Sequence, residues 1–366
     1  MNPHVSRAGR REVYERCRIV ESAIAFHASK EQNACRSVSC VLCSEVAFLT
    51  LSKFFTKYWF LLGLALAMVG GVFCAEPLSG VSSWTWLRRL IVMSVMFAMA
   101  LPLSLTSITE TLRRPGAALL ASFINFGLLP LVAWGLSGMV DPRFAAGFLV
   151  VAATPCTLAS ATVWTRRAGG NDVTALMTTV ITNFSSFLMT PLIVFWLLQQ
   201  QAEIPFVDLV SRLALLVLLP IVLAQLLAGK KQIGNWAKQR KKQLGIAAQT
   251  GILAIVLLGT AQSRLRLSQD QLPTLFEVFP LIAWCVVLHV IVLVTGYGLA
   301  KVLGFAREQR IAVAFAGSQK TLMIGLLVCI YLNVSLVPMV IYHASQLLID
   351  TFVADRFAAS QRNFAE

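Results

Sequence analysis

The chain has 366 residues, 57% of them hydrophobic and 13% charged, with 31 Lys and Arg against 17 Asp and Glu and a formal net charge of +14. Soluble domains carry roughly 25% charged residues, so the composition excludes an ordinary soluble enzyme and points to a polytopic membrane protein. The basic excess sits mainly in short loops between apolar runs, where Lys and Arg set topology, so no nucleic-acid partner is expected.

Residues 1–50 are charged and aperiodic, with Arg7, Arg10, Arg11, Arg16 and Arg18 forming no helical stripe. No uninterrupted apolar stretch follows them, so a secretory signal is not predicted. The segment reads as a disordered cytoplasmic tail or as a start codon assigned too early, the second being favoured. Cys40 and Cys43 form a CxxC there, without a His or a second CxxC at metal-ligand spacing, and no zinc or redox role is assigned to it.

From Lys57 onward, runs of about 20 apolar residues, enough to span a bilayer, alternate with short polar breaks. Ten spans are predicted, near 57–75, 88–107, 116–137, 143–165, 173–199, 206–229, 245–262, 277–300, 309–331 and 335–354. With residues 1–50 and Lys320 left out, one side of the alternation collects seventeen Lys and Arg and the other only six, Arg88, Arg89, Arg143, Arg212, Arg264 and Arg266. The positive side faces the cytoplasm, so a protein of the cell membrane with both termini cytoplasmic is expected. An odd number of spans per half makes the two five-helix halves insert in opposite orientations, an inverted-repeat plan in which the fourth span stands opposite the ninth.

Those two spans are both interrupted. Pro155, in Thr154-Pro155-Cys156-Thr157-Leu158-Ala159-Ser160, removes a backbone N–H and clashes with the preceding turn, so the helix is expected to break near Thr154, which is then free to cap the half-helix that follows. Gly317, before Ser318-Gln319-Lys320-Thr321, permits a break in the ninth. Paired interruptions at matching positions point to a transporter's binding site, because free backbone at membrane depth is tolerated only inside protein or a cavity.

Lys320 is the most informative residue. A Lys near the bilayer centre costs about 2.5–3.5 kcal/mol, so it needs a partner or a cavity. The acidic residues, Asp350 among them, read as lying at or near segment ends. Three functional readings stay open: a fixed charge for an anionic substrate, an amine that gains and loses a proton, or a tethered ammonium in a cation site. The structural alternative is a side chain that snorkels to the surface. Thr154, Thr157, Ser160, Thr162 and Thr165 give the fourth span a hydroxyl face, and the half-helix after Pro155 would aim its positive dipole end at an anion. In the fifth span Thr179, Asn183, Ser186 and Thr190 share a face, which is expected to turn inward. Asn125, His289, His343 and Gln346 are single polar residues in apolar helices. No nucleophile elbow, P-loop or paired carboxylate appears, so no enzyme, cofactor or firm metal site is expected.

With Thr154 to Ser160, Ala168-Gly169-Gly170-Asn171, Thr190-Pro191 and Gly317-Ser318-Gln319-Lys320, the chain resembles the bile acid:sodium symporter family, and more narrowly its SBF-like branch, over about residues 52–356. The resemblance implies an all-α fold of ten helices, with a panel domain (spans 1, 2, 6 and 7, about 57–107 and 206–262) and a core domain (spans 3–5 and 8–10, about 116–199 and 277–354) within a transporter unit of 51–362. The fourth and ninth helices would be unwound where they cross. It implies alternating access by movement of core against panel. Sodium-coupled members bind two Na⁺ behind the crossing, and Asn125, Ser160, Thr179 and Gln319 match positions where the family has ligands. Three positions depart: Phe315 stands where those relatives have Glu, Lys320 where they have Asn after the Gln, and Ala161 where they have Asn after the Ser. Losing the shared carboxylate and gaining a Lys suggests that Lys320 stands in for the bound cation, leaving transport sodium-independent or proton-linked.

The expected function is therefore a secondary active transporter of a small organic anion or amphipath, monomeric or homodimeric, with candidate site residues Lys320, Gln319, Ser318, Thr154, Thr157, Ser160, Thr179, Asn183, Asn125 and His343. A membrane regulatory scaffold or membrane-embedded enzyme in ion or envelope homeostasis is the alternative.

Overall fold

A computed structural model of the protein describes residues 59–103, 115–198, 206–266 and 275–362. The N-terminal segment 1–50 with its CxxC, the basic pair Arg113 and Arg114, and residues 199–205 of the central connection lie outside the described residues. The chain divides into two units, Met1–Leu62 and Gly63–Glu366; only the first turn of one helix is described in the first, and the rest of the fold belongs to the second.

The described residues are helical, with no strand among them. In chain order they form α1 (Trp59–Phe73), α2 (Ala75–Ser83), α3 (Thr85–Ala100), α4 (Gly116–Ser137), α5 (Pro142–Ala153), α6 (Ser160–Arg167), α7 (Asp172–Leu198), α8 (Phe206–Ala228), α9 (Lys231–Gln239), α10 (Lys241–Arg266), α11 (Leu275–Val302), α12 (Arg307–Ser318), α13 (Leu322–Leu332) and α14 (Val337–Arg362). Among the described residues, seven helices are long and apolar enough to cross a membrane, counting α12 and α13 as one, and an eighth is added if α1 and α2, bent by 98°, count as one span. Of the ten runs read from the sequence, the first is that bent pair. The second yields the 16-residue α3, and the fourth is split between α5 and α6, of 12 and 8 residues. Large apolar side chains such as Phe73, Leu119, Phe123, Trp134, Phe276 and Phe279 are exposed, as a hydrocarbon solvent allows.

Local chemistry sets the ends. Asp141 caps α5 by accepting Arg143 N–H at 2.9 Å, and the Arg143 side chain and backbone together hold its carboxyl below the usual carboxylate range. Gly169, at φ 71°, supplies the left-handed residue that ends α6, and Asn171 Oδ1 accepts Thr174 N–H at 2.9 Å to start α7. Around these ends, α2 and α3 pack on α10, and α8 on α3; α4, α7 and α11 pack on α12, and α14 on α5 and α11.

Two proline-driven π turns interrupt α4 and α8, at Ile124–Leu128 and Ala214–Leu218. In α4 the Leu129 N–H bonds to Ile124 O in the wide register, so Asn125 O should receive the N–H of residue 130. That residue is Pro130, which has none. The carbonyl of Asn125 is thereby left for a partner from another helix.

Candidate functional site

The fourth apolar run breaks between Thr154 and Ala159 and the ninth between Gln319 and Thr321. The two breaks touch: Thr321 N–H bonds to Pro155 O at 2.9 Å.

The first break follows from Pro155, which offers Val151 O no N–H. Both Thr154 N–H, at 3.2 Å, and the Thr154 hydroxyl, at 2.9 Å, bond back to that carbonyl instead. Thr154 therefore closes the helix before it rather than capping the helix after it, as the sequence had suggested. Capping falls to Thr157, whose hydroxyl oxygen accepts Ala161 N–H at 3.1 Å. From α7, Thr179 donates to Thr157 O at 3.1 Å, Asn183 to Cys156 O at 2.8 Å, and Cys156 N–H reaches the Thr182 hydroxyl at 3.3 Å. That last bond takes Cys156 N–H away from Ala152 O, freeing a second carbonyl.

The second break lies after Gly317, not at it. Gly317 is helical, and a Cβ there would stand 2.9 Å from Ile124 Cγ2, so its function is to let α12 approach the π turn of α4. The break is held from outside its own chain segment. The Gln346 amide accepts Lys320 N–H at 2.9 Å and donates to Lys320 O at 2.9 Å, while Asn125 Nδ2 donates to Gln319 O at 2.9 Å. His343 Nδ1 lies 3.3 Å from Lys320 O, and Tyr342 donates to Ser318 O at 2.8 Å.

Lys320 is fully buried, so it does not snorkel. Its Nζ donates to Thr154 O at 2.6 Å, Ala152 O at 2.7 Å and Asn125 O at 2.7 Å, with Asn125 Oδ1 at 3.2 Å and the Phe126 ring centroid at 5.6 Å. The acceptors are Asn125 O, which Pro130 leaves unbonded, Ala152 O, which the diverted Cys156 N–H leaves unbonded, and Thr154 O at the break itself. Three buried carbonyls without partners would each cost about 1–3 kcal/mol, comparable to or larger than the roughly 2.5–3.5 kcal/mol insertion penalty of the Lys they capture. The ammonium also sits at the C-terminal end of α5, where the helix dipole favours a cation.

Asp350 corrects the sequence reading, which placed it near a segment end. It is buried within α14, with Oδ1 2.9 Å from His289 Nε2 and Oδ2 accepting from Gln319 Nε2. Gln319 Oε1 in turn accepts the Thr157 hydroxyl at 2.7 Å and the Ser160 hydroxyl at 2.8 Å. All ten candidate residues thus converge on the two breaks. His289, Tyr342, Gln346 and Asp350 complete the network, and the last three were legible as a stripe, at i, i+4 and i+8 of one helix face. Asn183 Oδ1 is buried with no hydrogen-bond partner among the described residues.

A separate cavity of about 220 Å³ opens among α3, α8, α10 and α13, lined by Arg88, Arg89, Arg212, Gln262 and Tyr331 over an apolar base that includes Val92. Arg88 bonds to Gln262; Arg212 bonds to Asp208 at 2.8 Å, and Tyr331 bonds to the same carboxylate.

Apolar helices long enough to span a bilayer, with two fractured ones meeting at a buried Lys side chain, define a polytopic membrane protein of the transporter type. The model of the SBF-like CPA transporter family matches residues 58–359, and the chain belongs to that family. The chain is 27% identical over 308 residues to uncharacterized protein PA2026 of Pseudomonas aeruginosa, covering 80% of this chain and 92% of that one. It is 27% identical over 244 residues to YfeH of Escherichia coli, covering 65% and 73% respectively. To sodium/bile acid cotransporter 7 of Mus musculus it is 22% identical over 312 residues, covering 80% of this chain and 90% of the relative. The protein is a membrane transporter, not an enzyme, and its surroundings include a small-molecule substrate and the lipid bilayer.

Proposed function

We propose that the protein is a secondary active transporter of a small organic anion or amphipath that works without the two sodium ions of its sodium-coupled relatives, because the Lys320 ammonium occupies a cation's place at the helix crossing. One observation carries this: Nζ is ringed by three backbone carbonyls and an amide oxygen, all acceptors, within 3.2 Å. Such a shell suits a cation and leaves a deprotonated amine facing lone pairs. Of the three readings of Lys320, the tethered ammonium is the one this shell favours; the amine stays charged, and is spent on the protein rather than on substrate.

The residues that match family ligand positions do not fit a sodium ion in this arrangement. Asn125 Oδ1 faces Nζ, Gln319 Oε1 is taken by two hydroxyls, and the Thr179 hydroxyl donates to a carbonyl. The basic cavity supports the anionic substrate class, since Arg88 and Arg89 place positive charge beside a partly apolar site, Arg212 being paired to Asp208. Ten spans in two inverted five-helix repeats, a panel moving against a core, a cell-membrane location and cytoplasmic termini complete the proposal. The packing of α2 and α3 on α10 and of α8 on α3 supports a panel, that of α4, α7 and α11 on α12 supports a core, α8 also packs on α7 between the two, and the paired breaks support the repeats.

A thermal-shift screen of small anions and amphipaths, run with sodium or choline as the cation, tests the function, followed by uptake of the hits into proteoliposomes. Stabilisation and uptake by an anion, equal in both salts, is expected. Strict dependence on sodium would overturn it.

A further inference from the structure

Hydrogen-bond accounting at the pair His289 and Asp350, both fully buried, leaves one hydrogen more than a carboxylate and a neutral imidazole supply. The Tyr342 hydroxyl spends its only hydrogen on Ser318 O at 2.8 Å, so a hydrogen bond across its long 3.4 Å contact with His289 Nδ1 takes its hydrogen from the nitrogen. The 2.9 Å contact between His289 Nε2 and Asp350 Oδ1 needs a hydrogen as well. Asp350 Oδ2 carries none, because it accepts from Gln319 Nε2, and that amide is oriented by the Thr157 and Ser160 hydroxyls on its oxygen.

We propose that His289 and Asp350 form a proton-binding site, coupled to the second helix break through Tyr342 and Gln319. The heavy-atom distances match the loaded form of this proposal, two hydrogens shared among Nδ1, Nε2 and Oδ1, with the pair neutral. Unloading sends one proton to water: the imidazole keeps its hydrogen on Nε2 facing the ionised carboxylate, and Nδ1 becomes an acceptor. The Tyr342 hydroxyl then turns from Ser318 O, at the end of α12, to His289 Nδ1. The pair gains a unit negative charge that balances Lys320, so loading and unloading change both the net charge beside the break and a bond that holds it.

Other titratable groups near the pair are Cys285 on its own helix, Tyr342 and His343 on α14, and Lys320 beyond Gln319. The helix α4 brings none. Those of α5, α6, α12 and α13 (Arg143; Arg166 and Arg167; Arg307, Glu308 and Arg310; Cys329 and Tyr331) lie on the remaining neighbours, with Arg167 paired to Asp355 at 2.6 Å. The inference rests on the transporter reading, for which it names the coupling ion, and its chemistry is measurable without substrate.

Infrared difference spectra of the full-length protein, titrated across the pH range in which it stays folded, test the site. The wild type is expected to show a carboxyl transition linked to an imidazole one, over whatever His4, His27 and His343 contribute, and Asp350→Asn and His289→Gln are each expected to abolish that linked carboxyl transition. Tyr342→Phe, which keeps both titrating groups and the volume, is expected to retain the transition with a displaced midpoint. A wild-type carboxyl region silent across the titration, or a carboxyl transition surviving both substitutions, would overturn the proposal; the first of these comes from the unmodified protein and needs no variant to fold. A silent spectrum leaves sodium-independent transport standing, whereas sodium-dependent uptake defeats the transport reading and leaves the titration untouched.

Discussion

The two helix breaks look alike and arise differently. The first starts in its own stretch of sequence, because Pro155 cannot bond to Val151 O and the chain must leave the helix there, and Thr179, Thr182 and Asn183 of α7 then help to hold it. The second contains no proline. Its backbone groups at Gln319, Lys320 and Thr321 are satisfied by Asn125, Gln346 and Pro155, residues 26 to 194 positions away along the chain. A break encoded locally survives the loss of a distant partner, whereas one held by tertiary bonds does not. The same contrast separates the two π turns: each precedes a proline by the same spacing, yet only the α4 turn meets a Lys. In α8 the matching residue, Leu215, is an exposed apolar side chain, so the turn there only accommodates Pro220.

Four substitutions sharpen that comparison. Lys320→Ala is expected to be the most damaging, because it strips partners from three buried carbonyls at about 1–3 kcal/mol each, read as the largest fall in thermal unfolding temperature of the purified protein. Gln346→Leu removes both backbone bonds that hold Lys320 and is expected to cost about 2–4 kcal/mol, with increased hydrogen exchange confined to the amides around the second break. Gly317→Ala presses a methyl against Ile124 and is expected to cost about 1–3 kcal/mol by the same unfolding assay. Pro155→Ala is expected to be mildest, about 0.4–1 kcal/mol, since Asn183, Thr179 and Thr182 still hold Cys156 and Thr157. Exchange protection at Cys156 should be unchanged in that variant; a healed helix would show new protection there.

The contrast also explains what was legible in the sequence. Apolar runs, Pro155 and the lone Lys320 are local signals, and they located the membrane character, the first break and the centre of the site. The position of the second break was misjudged by two residues because its cause lies in Gln346 and Asn125, which no local pattern ties to Gln319. Thr154 was misassigned as a cap for a related reason: the hydroxyl had a nearer orphan, Val151 O, behind it. Asp350 was passed over because α14 runs on to Arg362, which places that carboxylate well inside the helix. Tyr342 gave no signal beyond its spacing from Gln346.

Sodium is the most direct probe of the tethered cation. Thermal unfolding of the wild type and of Lys320→Ala, each in sodium and in choline chloride, is the measurement. With the ammonium in the cation's place, the wild type should unfold at the same temperature in both salts, and Lys320→Ala, with its oxygen shell open, should recover stability in sodium alone. Sodium-specific stabilisation of the wild type, with none in the variant, would contradict it.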